Sequence, residues 1–472
     1  MSRWAGGRRP STRERGMAEW PHGRRCSHSP QHRRVSAPSA AGSPAALKFR
    51  CVRARQSFHG LFYDSKPMTP MPLDRSSTSG CSPLTPAQPA EWLPARVVLM
   101  CEPGIETLFA ILQPGAANFL FPFSLAQGRE EHRAYRRALE GHGVRVIDYR
   151  EALAQATRSR LTQWAREAVT FEYDAALTAD ERDEAARQLD VALAALDAGS
   201  LVEVILLRPT IRVARSAAGL DPTTRFEAQF TLEPPSPYYT RDPLITTREG
   251  VVITRLKLKQ RAPENDIAAH VLESLGIAPR YRVQPPGTLE GGDFIPCGDF
   301  VLQGQGLLTN EDGVRQCLEH RVYGYVEVAV IEDPRMDMDE MHLDTYFAML
   351  DRDLALCVES RLSGDEEPAV KVYVPQGAPD RYAYVLTRTT LFSRYLQEKG
   401  IRVIPFSKAE QLDFAANGLL VGPRRLMCAR RAGEPFLQRL RAAGVDVQAI
   451  AFDALAGGYG GPHCSTQVLV RG

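Results

Sequence analysis

From Ala95 onward, short β-forming runs recur along the chain, each four to seven residues long and each bounded by glycine, proline or charge. They are Arg96–Met100, Val144–Asp148, Val202–Leu207, Val251–Leu256, Phe300–Gln303, Val326–Ile331, Val370–Val374, Val403–Phe406, Gly418–Val421 and Val445–Ala449. Runs of this length and composition read as strands. Helical patterns precede several following strands: Glu130–Gly141 before Val144, Asp266–Leu275 before Tyr281, Thr389–Gly400 before Ile401 and Phe436–Gly444 before Val445. A recurring strand, strand, helix, strand unit predicts one α/β assembly built from internal repeats. The 472 residues exceed the roughly 250 to 300 at which a single core stops growing, and repetition accounts for the excess. One stretch breaks the rhythm. Residues 151–198 are almost purely helical in composition, with Thr178-Ala179-Asp180-Glu181 as a capping box ahead of Ala185, Leu189, Ala192, Leu193 and Leu196, which predicts a helical insertion.

Residues 1–90 are rich in Arg, Ser, Pro and Gly and cannot bury enough apolar surface to offset the entropy of ordering. They are expected to be a disordered basic extension, with 91–472 as the folded body. Such a leader is similar in composition to an organellar transit peptide but lacks its amphipathic helix. The expected reading is a non-folding extension upstream of a start at Met68 or Met71. Residues 1–66 hold 14 Lys and Arg against 3 Asp and Glu, leaving 44 against 53 for the rest. That acidic body is not expected to bind nucleic acid. No run of about 18 apolar residues occurs, so no membrane span is expected. Nine cysteines, without C-x-x-C spacing or a secretory signal, read as reduced thiols of a cytoplasmic protein, one of them available for catalysis.

Four islands concentrate polar groups. Tyr238-Tyr239-Thr240-Arg241-Asp242-Pro243 and Leu289-Glu290-Gly291-Gly292-Asp293 would each pass for a turn if taken alone. In Met341-His342-Leu343-Asp344-Thr345, an extended backbone would put His342 and Asp344 on one face, though a core histidine beside a surface aspartate is the plain alternative. Gly457-Gly458-Tyr459-Gly460-Gly461-Pro462-His463-Cys464 is a glycine-rich approach to a lone cysteine, whose plain alternative is an inert buried thiol. Taken jointly, the islands supply a thiol, an imidazole and several carboxylates from distant parts of the chain, a nucleophile with an acid/base group and a cation-binding set. A planar guanidinium, gripped by two carboxylates in fork geometry, fits best.

These segments resemble the arginine deiminases of the guanidino-group-modifying (pentein) superfamily, over roughly Glu91 to Gly472. The resemblance rests on Cys101-Glu102-Pro103-Gly104-Ile105-Glu106-Thr107, Arg129-Glu130-Glu131-His132, Thr240-Arg241-Asp242, Thr288-Leu289-Glu290-Gly291-Gly292-Asp293-Phe294, Met341-His342-Leu343-Asp344-Thr345, and Gly457-Gly458-Tyr459-Gly460 with His463-Cys464, all in the family's order. The form before the cysteine, and Gly304-Gln305-Gly306 followed by Thr309-Asn310, are closest to the archaeal-type branch. The resemblance implies a five-bladed α/β propeller of ββαβ-type modules with a central site. Cys464 is then the nucleophile, His342 the general acid/base, Asp242 and Asp344 the guanidinium clamp, and Glu290 an aid to binding and proton transfer. The substrate-binding set so implied is Asp242, Asp344, Arg241, Arg255, Asp293 and Gly461. The implied reaction passes through a covalent thiouronium on Cys464.

The pattern departs from the family where an arginine would hold a substrate carboxylate. Leu308 stands at one such position, Tyr459 at another, and Ser236 replaces a common asparagine. Arg255 and Arg241 remain available for that carboxylate. Deimination of L-arginine is the first reading. Hydrolysis of another guanidino compound or amidino transfer to an amine is the second, and a non-catalytic guanidinium-binding protein is the third. Without an H-x-x-x-H or a Cys/His cluster zinc is not expected, and without a dinucleotide or Walker-type loop neither is a nucleotide cofactor. The expected partner is a small guanidino substrate, and association into a homo-oligomer is left open.

Overall fold

The computed structural model describes residues 84–115, 117–216, 226–232, 235–378 and 381–472. Five three-stranded modules carry the body, each an antiparallel pair followed by a helix and a strand parallel to the second. The first joins Leu244–Thr247, Gly250–Ile253, the helix Pro263–Ser274 and Tyr281–Arg282. The second joins Phe294–Cys297, Phe300–Gln305, the helix Glu311–Glu319 and Glu327–Glu332. Phe347–Asp351, Leu354–Val358, the helix Phe392–Glu398 and Arg402–Phe406 make the third. Leu419–Gly422, Arg425–Ala429, the helix Glu434–Ala442 and Asp446–Ile450 make the fourth. In the fifth the two ends of the body meet: Gln467–Arg471 pairs antiparallel with Ala95–Met100, which pairs through the helix Leu125–Gly141 with parallel Arg145–Asp148. A parallel pair needs a long crossover, and the helix supplies it in every module.

Hydrogen bonds link the modules in a closed cycle. Gln467 donates to Thr246 at 2.9 Å, Thr247 to the Val322 carbonyl at 2.7 Å and Tyr395 to Glu327 at 2.5 Å. The Arg424 amide reaches the Leu350 carbonyl, and Arg471 the Leu420 carbonyl at 2.9 Å. The apolar core lies in clusters shared between neighbouring modules and their helices. The repeat-built α/β architecture expected from the sequence is therefore the one observed.

Several local expectations need correction. Val202–Leu207 is not a strand but the end of a helix, Ala198–Leu207, whose Asp197 cap accepts from the Ser200 amide at 2.7 Å. Leu201, Val202, Ile205 and Leu206 are buried at helical spacing, so packing overrides the preference of β-branched residues. The stretch 151–198 carries helices Arg158–Ala168 and Ala179–Ala195 but also a strand, Thr170–Tyr173, which pairs with Thr210–Arg215 and through it with Phe226–Thr231. The capping box at Thr178 and Glu181 is present. Thr389–Gly400 begins as strand, Ala383–Leu391, which with Ala369–Gln376 forms a hairpin added to the second module's sheet. Of the expected disordered extension, residues 1–83 lie outside the described residues. Residues 84–90 belong to the folded body, since Ala87 bridges to Val470 and Ala90 to Cys297.

Candidate active site

Each chemical group of the candidate site comes from a loop at a module boundary. Cys464 follows the 3-10 turn Leu455–Gly458 and precedes the strand Gln467–Arg471. Its approach is packed too closely for side chains: a Cβ on Gly458 would lie 1.6 Å from the Tyr238 hydroxyl, and one on Gly461 would lie 2.7 Å from the Asn417 carbonyl. Asn417 organises this turn, its Oδ1 accepting from the amides of Gly461 at 3.0 Å and Cys464 at 3.1 Å while its Nδ2 donates to the Asp344 carbonyl at 3.2 Å. His342 caps the one-turn helix Leu343–Tyr346, which carries Asp344. Glu290 precedes the Gly291–Asp293 turn and Asp293 closes it.

These groups converge. The Cys464 thiol lies 3.6 Å from Asp344 Oδ2. His342 Nε2 donates to Glu290 Oε2 at 3.0 Å, and its Nδ1 is 3.8 Å from Asp242 Oδ1. Asp293 Oδ1 accepts from the Leu343 amide at 2.9 Å, anchoring the turn that presents His342 and Asp344. All six are buried. Burial disfavours a charged His342, yet Asp242, the hydrogen bond to Glu290 and Asp293 outweigh it and hold the imidazole up to about 10. Burial, then Asp344 and Asp242, push the Cys464 thiol well above its ordinary value. Burial raises Asp293 to about 6, whereas Asp242 is held low because Arg261 and His342 overcome its burial.

Cys464, His342 and Asp242 line a cavity whose other walls are largely apolar, with Phe119, Tyr239, Leu258, Leu308, Met338 and Met341 among them. Ser236 and Tyr459 line it too, Tyr459 in the left-handed region at φ 80°. Arg261 is the arginine among these lining residues. It donates to Asp242 Oδ2 at 2.8 Å and grips Glu264 through Nε at 3.0 Å and Nη2 at 2.8 Å. The two arginines expected to hold a substrate carboxylate are placed elsewhere. Arg241 is fully buried against the Cys464 segment, its amide donating to the Cys464 carbonyl and its Nε to that of His463. Arg255 donates to the Gly287 carbonyl at 3.2 Å.

Arg261 and Asn417 escaped sequence reasoning, and His463 entered it only as part of a motif, with no role. His463 donates to Asp344 Oδ2 at 2.7 Å and faces Glu91 at 3.4 Å. Its position beside Cys464 was the available signal. Asn417 lies in no motif, and Arg261 sits in a run of Lys, Gln and Arg that reads as a solvated loop. Candidate ligand atoms of Asp242, Glu290 and His342 lie within 4.8 Å of one another. A metal there would have to displace the His342 proton and compete with Arg261, whereas a guanidinium needs only carboxylate oxygens.

A family model described as arginine deiminase matches residues 119–471. The arginine deiminase of Halobacterium salinarum is 25% identical over 473 residues, spanning 81% of this chain and 96% of its own length. That of Listeria monocytogenes serovar 1/2a is 25% identical over 404 residues, spanning 80% and 95%. Among solved structures, dimethylarginine dimethylaminohydrolase from Pseudomonas aeruginosa complexed with citrulline aligns at TM-score 0.46 and 15% identity over 79% of this chain and 99% of its own. The product-bound N-terminal domain of ArgZ, a cyanobacterial arginine dihydrolase, aligns at TM-score 0.47 and 14% identity over 79% and 97%. With the family model covering most of its length, this chain belongs to the arginine deiminase family, hydrolases that act on the C–N bonds of amidines.

Proposed function

We propose that the protein deiminates L-arginine, giving citrulline and ammonia through a thiouronium on Cys464. One observation carries the reading: Asp242 Oδ1 and Asp344 Oδ1 are buried without a hydrogen-bond partner among the described residues, one beside His342 and the other on the carboxylate that touches the thiol. Two such oxygens are costly to bury alone and match the N–H edges of one guanidinium. The bound cation offsets the carboxylates that hold the Cys464 proton, so with substrate in place the thiol releases that proton to solvent and the thiolate forms, the proton being taken back when product leaves. Its sulfur attacks the guanidinium carbon. The His342 imidazolium gives its proton to the departing nitrogen, the C–N bond breaks, and ammonia leaves a thiouronium. Neutral His342 then takes a proton from water as its oxygen adds to the same carbon. The C–S bond breaks to return the thiolate, leaving a ureido product, and the remaining proton passes to ammonia. Splitting the hydrolysis in two makes each step easier.

A second reading, a guanidine without an amino-acid head, draws on the apolar walls at Leu258, Leu308, Met338 and Met341 and on the engagement of Arg261 with two carboxylates. Purified protein incubated with arginine, agmatine, methylated arginines, or arginine plus an amine, with ammonia and ureido product measured, separates the readings. Ammonia and citrulline from arginine alone support the proposal. Preference for agmatine supports the second reading, product only with an amine indicates amidino transfer, and saturable binding without turnover indicates a receptor. Normal turnover by Cys464→Ser would refute the covalent route.

A further inference from the structure

We propose that Arg361 is a positioning residue for this reaction, a clamp that grips the chain on both sides of His342 and fixes the imidazole against Glu290 in the cavity that Cys464 lines. The inference rests on the role given to His342 above. Arg361 closes the short turn Glu359–Arg361 after the strand Leu354–Val358 and is completely buried. Its Nε donates to Glu340 Oε2 at 2.5 Å and its Nη1 to Asp333 Oδ1 at 2.5 Å, while Cζ lies 4.8 Å from the Tyr346 ring centre. Glu340 is two residues before His342 and Tyr346 four after, so one guanidinium holds both flanks of the acid/base group. Asp333 opens the loop that ends at His342, and its carboxylate also accepts from the amides of Arg335 and Met336.

A guanidinium with no solvent access is tolerated only where counter-charges and aromatic contact replace water. Here the two carboxylates and the ring lie on the segment that delivers His342, while Nη1 also reaches the Glu366 carbonyl at 3.3 Å. The grip is reinforced from the far side, where Lys408 reaches the other Glu340 oxygen at 2.5 Å and Asp339 at 2.6 Å, and Gln411 donates to the Asp339 carbonyl. The same loop brings Met338 and Met341 to the cavity wall. Among the described residues the His342 side chain itself bonds only within the reacting cluster, facing Glu290, Asp242 and Asp293, with Cys464 and Arg261 lining the same cavity. Its placement therefore depends on where the main chain is held.

Arg361→Lys tests this, because an ammonium keeps the charge but cannot fork between two carboxylates or lie flat on a ring. In the full-length protein the expected result is a kcat reduced by about 10- to 100-fold, a KM within about twofold, and a His342 imidazole that titrates at lower pH by histidine NMR as it leaves its carboxylates. A lower melting temperature and active fraction, with unchanged kcat per titrated active site and unchanged His342 titration, would overturn the proposal. Should the lysine variant not fold, Glu340→Gln weakens the same grip with little change in shape and is held to the same readouts. The NMR titration needs no turnover, so absence of deiminase activity would refute the functional reading while leaving the clamp testable.

Discussion

In the reaction proposed above, Cys464 is a nucleophile surrounded by the wrong charge until substrate arrives. Asp344→Asn removes a like charge beside the sulfur, so alkylation of the substrate-free thiol should reach half-maximal rate at lower pH, while turnover falls by at least about 100-fold as half the guanidinium clamp is lost. Unchanged alkylation would show that Asp344 does not set the thiol. His342 carries the opposite lever. Its folded value of about 10 exceeds the ordinary 6.5, so the imidazolium stabilises the fold fully below about pH 6.5, and that contribution fades as pH rises through about 10. Glu290→Gln should lower the folded value by about one to three units, moving both the alkaline loss of stability and the alkaline limb of kcat to lower pH. Denaturant titrations and rate profiles across that range check both. The groups of these predictions were legible because Asp242, Glu290, His342, Asp344 and Cys464 stand in compact polar islands. Arg261 and Asn417 were not, since only the fold brings residues 19 positions after Asp242 and 47 before Cys464 to the same place.

At the level of elements, short strands without alternation are ambiguous in sequence, and the outcome depends on what packs around them. Most expected runs became strands within a residue or two, and several, such as Ala95–Met100, Phe300–Gln305 and Leu419–Gly422, sit in buried sheets where continuous apolar stretches are normal. Val202–Leu207 did not, because the same apolar content satisfies a helix that buries Leu201, Val202, Ile205 and Leu206 on one face. The first strands of the hairpins, such as Leu244–Thr247 and Phe294–Cys297, were hidden in or beside the motif islands, where Pro243 and Pro296 mask them. Those placements tie the chemistry to the repeat, since Asp242 and Asp293 closely precede first strands and Cys464 lies three residues before the closing one. The glycine-rich approach is the tightest element. Gly458→Ala would drive a methyl into the buried Tyr238 ring, which also packs on Tyr239. An overpacking cost of about 1 to 3 kcal/mol is expected, with kcat falling more than stability explains, because Tyr239 and Cys464 share the cavity. Unaltered kcat and melting temperature would show that the segment has slack.

On the scale of the whole molecule, the two ends of the folded body meet in one sheet, and a buried ion pair secures the junction. Arg471 donates to Glu91 Oε1 at 2.8 Å and to the carbonyls of Leu93 and Leu420, tying the closing strand to the start of the body and to the fourth module. Glu91 also accepts from Gln88 at 2.6 Å and faces His463, so closure and site share a residue that sequence reasoning placed only at the boundary of an expected disordered extension. Despite burial, Arg471 and His463 hold the Glu91 carboxyl ionised far below its ordinary range. Arg471→Met would take the chief counter-charge from that buried carboxylate and should cost about 3 to 5 kcal/mol. Glu91→Gln alone should also destabilise, since it strands a buried guanidinium. If the pair fastens the cycle, the double variant will lose less than the sum of the two singles, the coupling being read by denaturant unfolding of all four proteins. Strict additivity would mean that the carbonyl bonds and the strand pairing close the cycle by themselves.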